Sequence, residues 1–154
     1  MKRKKRKIVL CSACLLGIKC RWDAKVKPNQ RIVDLAKKEI LIPVCPEQLG
    51  GLSTPRIPQE IQGCSGEKVL NSRGQVKNKK GKDVTKEFII GARETLKIAK
   101  LLGIKEFIGK SKSPSCGYGK TYDGSFTGKL INGNGITVAL LNRNGIKIIS
   151  EENV

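Results

Sequence analysis

The chain has 154 residues, with 31 Lys and Arg against 13 Asp and Glu, a formal net charge of +18, and no histidine. That length suits one domain able to bury most of the surface its unfolded form exposes. The missing histidine excludes Cys/His zinc sites, imidazole bases and histidine triads, six cysteines are too few for a small disulfide scaffold, and no apolar run approaches the roughly 20 residues of a membrane span.

The basic start "KRKKRK" (2–7) is followed by only "IVL" before Cys11, which predicts a basic tail over 1–7 rather than a signal peptide, and a reducing, cytoplasmic setting. "KIVLCSAC" then opens as a short β-branched apolar run, the pattern of a strand covered on both faces. "NQRIVDLAKKE" (29–39) puts Ile32, Leu35 and Ala36 on one helical face, and "ILIPVCPE" (40–47) reads as a second buried strand halted by Pro46. Residues 48–84 are turn-rich and lysine-rich and predict a flap, with a solvent-side hairpin over "EKVLNSRGQVKNKKGKDVT". After Asp83 or Thr85 as N-cap, Phe88, Ala92, Leu96, Ala99 and Leu102 recur at helical spacing until Gly103. "KEFIGKS" supplies a third strand, 133–145 a short helix and "IKIISE" a last strand.

Strands alternating with helices predict an α/β fold, a single-domain Rossmann-like parallel sheet flanked by helices over 8–154, with the flap at about 48–84 as an insertion. Ligands in such sheets bind outside the carboxyl ends of the strands. Cys14 lies just past the first strand, Cys45 at the end of the second, and Cys116 just past the third, inside the turn-rich "KSPSCGYG" (112–119). Three thiolates without histidine suit a soft metal centre, zinc or an iron–sulfur cluster. Structural zinc closes with four protein ligands, so three convergent cysteines fit a [4Fe–4S] cluster with one iron free of protein. The competing reading is that these are unrelated buried thiols.

Two further readings compete. Cys11 and Cys14 form a C-x-x-C that a thiol redox protein would use. A charge of +18 attracts polyanions, so a basic nucleic-acid-binding protein with a structural metal is the alternative from another class. Single-strand binders stack several bases on exposed rings, yet this chain has one Trp, two Tyr and three Phe, which weighs against the second alternative. Cys20 borders the expected site and Cys64 falls in the flap.

The blocks "SACLLGIKCRWD", "PVCPEQLGGLSTPRIPQEI", "GKDVTKEFIIGA", "KSPSCGYGKTYDGSFTGKL" and "GNGITVALLNRNGIKIISEE" together resemble the small bacterial thiouracil desulfidases, in order and over nearly the whole chain. The resemblance implies a [4Fe–4S] enzyme that removes sulfur from thiouracil-type bases or nucleotides, giving the oxo base and hydrogen sulfide. It puts the cluster ligands on Cys14, Cys45 and Cys116, the catalytic carboxylate on Glu47, and a catalytic serine on Ser113 in preference to Ser115. Related sequences with a further domain act on thiolated transfer RNA, which joins the expected partners. A tyrosine and a glycine are usual in the family where Trp22 and Ala24 stand, and Cys64 is outside its pattern. From the residues themselves, Glu47 is the nearest acid–base group to a cluster ligand. Ser115, Tyr122, Asp123 and Phe126 are candidates for binding a pyrimidine, and Arg56 for contacting a phosphate.

Overall fold

Strand β1 (Ile8–Ser12) alternates between two apolar layers: Leu10 faces one, Val9 and Cys11 the other. A strand buried on both faces belongs at the centre of a parallel sheet, and β1 is central in the computed structural model of the protein. The structure describes residues 4–154, so the first three residues of the basic tail lie outside the described residues. Arg6 donates to the carbonyls of Ala36, Lys38 and Glu39, and Lys7 pairs with Glu106 at 3.0 Å. These two residues are bound to the fold rather than trailing from it.

After β1 come helix α1 (Gln30–Leu35), strand β2 (Ile40–Val44) and the single turn α2 (Pro46–Leu49). Asn29 caps α1 by accepting from the Arg31 and Ile32 amides. The helix ends earlier than its periodicity predicts, in a turn at residues 36–38. β2 is an edge strand, not the buried one expected: Ile40 and Pro43 are exposed, and a proline that cannot donate to a ladder is tolerated there.

The flap contains β3 (Gln59–Ile61), α3 (Gly66–Leu70) and β4 (Val76–Asn78). β4 pairs antiparallel with β3, so the solvent-side hairpin expected over 67–85 is replaced by a helix and a strand. The reason is burial: Ile61, Val69, Val76 and Val84 form a second core with Phe88, Ala92 and Ile136. Phe88 and Ala92 lie on the long helix α4 (Thr85–Leu102), which ends at Gly103 in the left-handed conformation as expected. Its N-cap is Val84, while Asp83 accepts the Thr85 amide at 2.9 Å. Leu102, read as part of the apolar face, is exposed.

Strand β5 (Glu106–Gly109), the hairpin β6 (Lys120–Tyr122) and β7 (Leu130–Asn132), helix α5 (Ile136–Arg143) and strand β8 (Lys147–Ser150) complete the chain. The main sheet is parallel in the order β2-β1-β5-β8. The crossover from β1 runs to one side and that from β5 to the other, so a crevice opens between their carboxyl ends. α4 and α5 cover one face of the sheet, where Leu10, Phe107, Ala99, Val138 and Leu141 meet. Among the described residues no helix is long and apolar enough to cross a membrane.

Candidate active site

All three strand-end cysteines line one cavity of about 720 Å³ at that crevice. Cys14 sits in the 3-10 turn Ala13–Leu16 directly after β1, and Cys45 is the N-cap of α2 directly after β2. Cys116 is held by a turn that Ser113 closes, its Oγ accepting the Ser115 and Cys116 amides at 3.1 Å each. That turn is also fixed to α5, whose first amides donate to the carbonyls of Pro114 and Ser115. The amides of Gly133 and Gly135 donate to the Gly119 and Gly117 carbonyls, which fastens the same junction from the other side.

The thiols sense one another. Cys20, which sequence reasoning leaves at the border, is buried beside them, and its hydrogen bond draws the Cys14 thiol below its usual range. Hydrogen bonding with Cys20 is likewise the largest influence on Cys45 and brings that thiol down to about 7. Cys20 itself is pushed up by the two neighbouring thiols, Cys45 Sγ donates to the Cys20 carbonyl at 3.8 Å, and Cys116 is pushed up by burial, with the charges of Glu47, Cys14 and Cys45 adding to it. Cys11 does not belong to this group. It points into the opposite core, and burial pushes it up to about 12, so the thiolate a C-x-x-C redox pair needs is disfavoured. Cys64 packs in the second core.

Cys14, Cys45 and Cys116 bring three sulfur donors from three strand ends into a crevice with no imidazole, a donor set whose chemistry suits a [4Fe–4S] group. Among the described residues no three His, Cys, Asp or Glu side chains are gathered tightly enough for a single ion. A cluster takes each thiolate on a separate iron and needs them farther apart.

Glu47 follows Cys45 by two residues and lines the same cavity, 13% exposed and paired with Arg56. α2 holds it there by a very close approach to α4. A Cβ on Gly91 would lie 1.8 Å from the Pro46 carbonyl oxygen, and one on Gly50 would lie 1.9 Å from that of Glu87. Only glycine at both positions allows the turn carrying Cys45 and Glu47 to sit so deep.

The remaining candidates divide. Tyr122 and Phe126 line the cavity with Ser113. Ser115 is buried behind it with no hydrogen-bond partner for its hydroxyl. Asp123 is turned away into the hairpin tip, where the Ser125 hydroxyl and amide hold its carboxyl below the usual range. Arg56, read as a phosphate contact, has its guanidinium engaged by Glu47 and by backbone carbonyls.

Trp22, singled out in the sequence as a departure from the tyrosine usual in the family, stands half-exposed in the wall. Sequence reasoning does not reach several other residues there, Lys79 and Lys112 at the mouth among them. Lys110 pairs with the buried Glu151 at 3.2 Å, and Glu151 also accepts the Ser111 amide and hydroxyl. Glu60 accepts the amides of Gly124 and Phe126, which brings the hairpin tip over the cavity. The edge rule that located the cysteines is the signal for Lys110 and Glu151, since both follow the ends of adjacent strands β5 and β8.

Comparisons with known proteins show the family of the chain. The family model for 2-thiouracil desulfurase matches residues 9–153. The uncharacterized protein YbbK of Bacillus subtilis (strain 168) is 44% identical over 144 residues, 94% of this chain and 95% of its own. The solved structure of a [4Fe-4S]-dependent thiouracil desulfidase, TudS, is similar with a TM-score of 0.82 at 39% identity, covering 97% of this chain and 93% of that one. The family model spans nearly the whole chain, and the chain belongs to the 2-thiouracil desulfurase family.

Proposed function

We propose that the protein removes sulfur from a thiolated pyrimidine, exchanging a thiocarbonyl and water for a carbonyl and hydrogen sulfide, with a [4Fe–4S] cluster held by Cys14, Cys45 and Cys116. The observation that carries the reading is the meeting of those thiols with Glu47 in one crevice at the carboxyl ends of the strands. When bound, such a cluster supplies a soft Lewis-acidic iron for the thiocarbonyl sulfur.

The chain's own residues do the rest. Glu47 takes a proton from the attacking water and returns it towards the departing sulfur, which needs a carboxyl held at the cavity surface. Ser113 spends its oxygen lone pairs on the Ser115 and Cys116 amides, so its hydroxyl proton points outward as a donor to the substrate. Trp22, Tyr122 and Phe126 enclose a planar ring. Lys79 and Lys112 at the mouth suit the phosphate of a thiolated nucleotide, and the same chemistry extends to thiolated transfer RNA. Six free cysteines suit the reducing cytoplasm.

The test is reconstitution with iron and sulfide without oxygen. The expected protein is brown, carries about four irons per chain, and releases hydrogen sulfide and oxo base in equal amounts from 2- or 4-thiouracil or their nucleotides. Stoichiometric zinc with no iron, or a loaded protein inert towards all of these, would overturn the proposal.

A further inference from the structure

We infer that Arg56 is a positioning residue for the reaction, holding the Glu47 carboxylate at the cavity surface in the orientation proton transfer needs. The inference rests on the proposed role of Glu47. Arg56 is the more enclosed of the pair, with 6% of its side chain exposed, and both of its terminal nitrogens donate inside the protein while Nε is buried with no partner. Nη2 donates to Glu47 Oε2 and, at 3.1 Å, to the Cys20 carbonyl. Nη1 donates to the Ser53 carbonyl at 3.1 Å and to Thr54 Oγ1 at 3.2 Å. The Arg56 amide donates to the Trp22 carbonyl at 2.8 Å.

Arg56 thus joins three pieces of the wall: the segment with Cys20 and Trp22, the turn with Glu47, and the strap 53–56. A guanidinium is a planar fork, so fixing it on the Cys20 and Ser53 carbonyls also fixes the direction in which it meets a carboxylate. It engages Oε2, and no described residue hydrogen-bonds Oε1, the oxygen left for water or substrate. Reaching a substrate phosphate instead would require Arg56 to abandon Glu47 and leave a largely buried carboxylate uncompensated.

The test is a double-mutant cycle in the cluster-loaded enzyme, with iron content as a second readout. Glu47→Gln alone examines the acid–base reading: full activity there sinks that reading and this assignment with it. With Glu47→Gln slowed, Arg56→Ala is expected to keep its iron, leave KM for the neutral base nearly unchanged and lower kcat by about 10²-fold. The double variant is expected to be no slower than Glu47→Gln, because orienting an absent carboxylate is worth nothing. Added guanidinium ion should restore part of the rate of Arg56→Ala and none of that of Glu47→Gln. Arg56→Lys should hold iron but recover only part of kcat, since an ammonium lacks the fork. Additive losses in the double variant, or a raised KM for a thiolated nucleotide with kcat intact, would overturn the assignment. So would iron loss in both Arg56→Ala and Arg56→Lys, which would mark a scaffold residue.

Discussion

Replacing Gly91 by alanine inserts one methyl group into the close approach between α2 and α4, at a residue that lines no part of the cavity. The new Cβ would sit 1.8 Å from the Pro46 carbonyl oxygen, where real contacts begin at 3.0 Å, so the two backbones must part by at least about 1.2 Å. Pro46 lies between Cys45 and Glu47, and both move with it. Overpacking of this kind costs about 1–3 kcal/mol, and each kcal/mol lowers Tm by about 2–4 °C in a chain of this length. A displacement near 1 Å in a catalytic group costs about 10²-fold in rate. Thermal melts, iron analysis and desulfidation rates, measured on one preparation, report the three consequences separately. Gly81→Ala is the control: nothing lies within 4 Å of its Cβ, and only its φ of 85° is strained, so stability falls by about 1–2 kcal/mol while activity is unchanged. Wild-type iron content and kcat in Gly91→Ala would refute the claim that the Gly50–Gly91 contact sets the depth of the site.

Single replacement of Cys14, Cys45 or Cys116 by Ala should abolish iron retention while Cys64→Ala should not; iron retained without Cys116 but lost without Cys11 would overturn the ligand set. Ala24 adopts a φ of 56°, a left-handed conformation in which glycine carries no Cβ penalty, so Ala24→Gly should raise stability by about 0.5–1 kcal/mol. A lower Tm would mean that Ala24 packs in a way its turn does not reveal. Thiolated nucleotides should be turned over with higher kcat/KM than the free base at low salt, and the advantage should shrink as salt rises because exposed lysines are screened beyond about 8 Å near physiological ionic strength. Equal values at all salt concentrations would return Lys79 and Lys112 to general solubility.

The parallel sheet was legible because its strands are short β-branched runs separated by helical spacing, and the thiols because they stand where those runs stop. β3 and β4 were not: three residues each, with a lysine in the middle of β4, carry too little alternation to announce a second core. Burial of Val69 and Val76 against Phe88 decides that region, and only the tertiary arrangement brings them together. Glu47 could be singled out by its distance from Cys45, but its partner Arg56 lies nine residues on in an irregular strap, where no periodicity links the two. Cys11 and Cys14 read alike as thiols three positions apart. The strand's alternation turns Cys11 to the far face, and the turn after it frees Cys14 for the site.

The fastening of the Cys116 turn to α5 makes the walls of the crevice unequal in stiffness. On that side, carbonyls of the turn are the acceptors that complete a buried helix, so the wall yields only when α5 itself loosens. The hairpin tip at 123–129 has no such helix behind it: it is held by its own short polar side chains and by bonds to Glu60, Gln62 and Gly63. The sulfur-bearing floor is thus fixed by a core helix, while the rings of Trp22 and Phe126 that line the same cavity are fixed by shorter segments nearer the solvent.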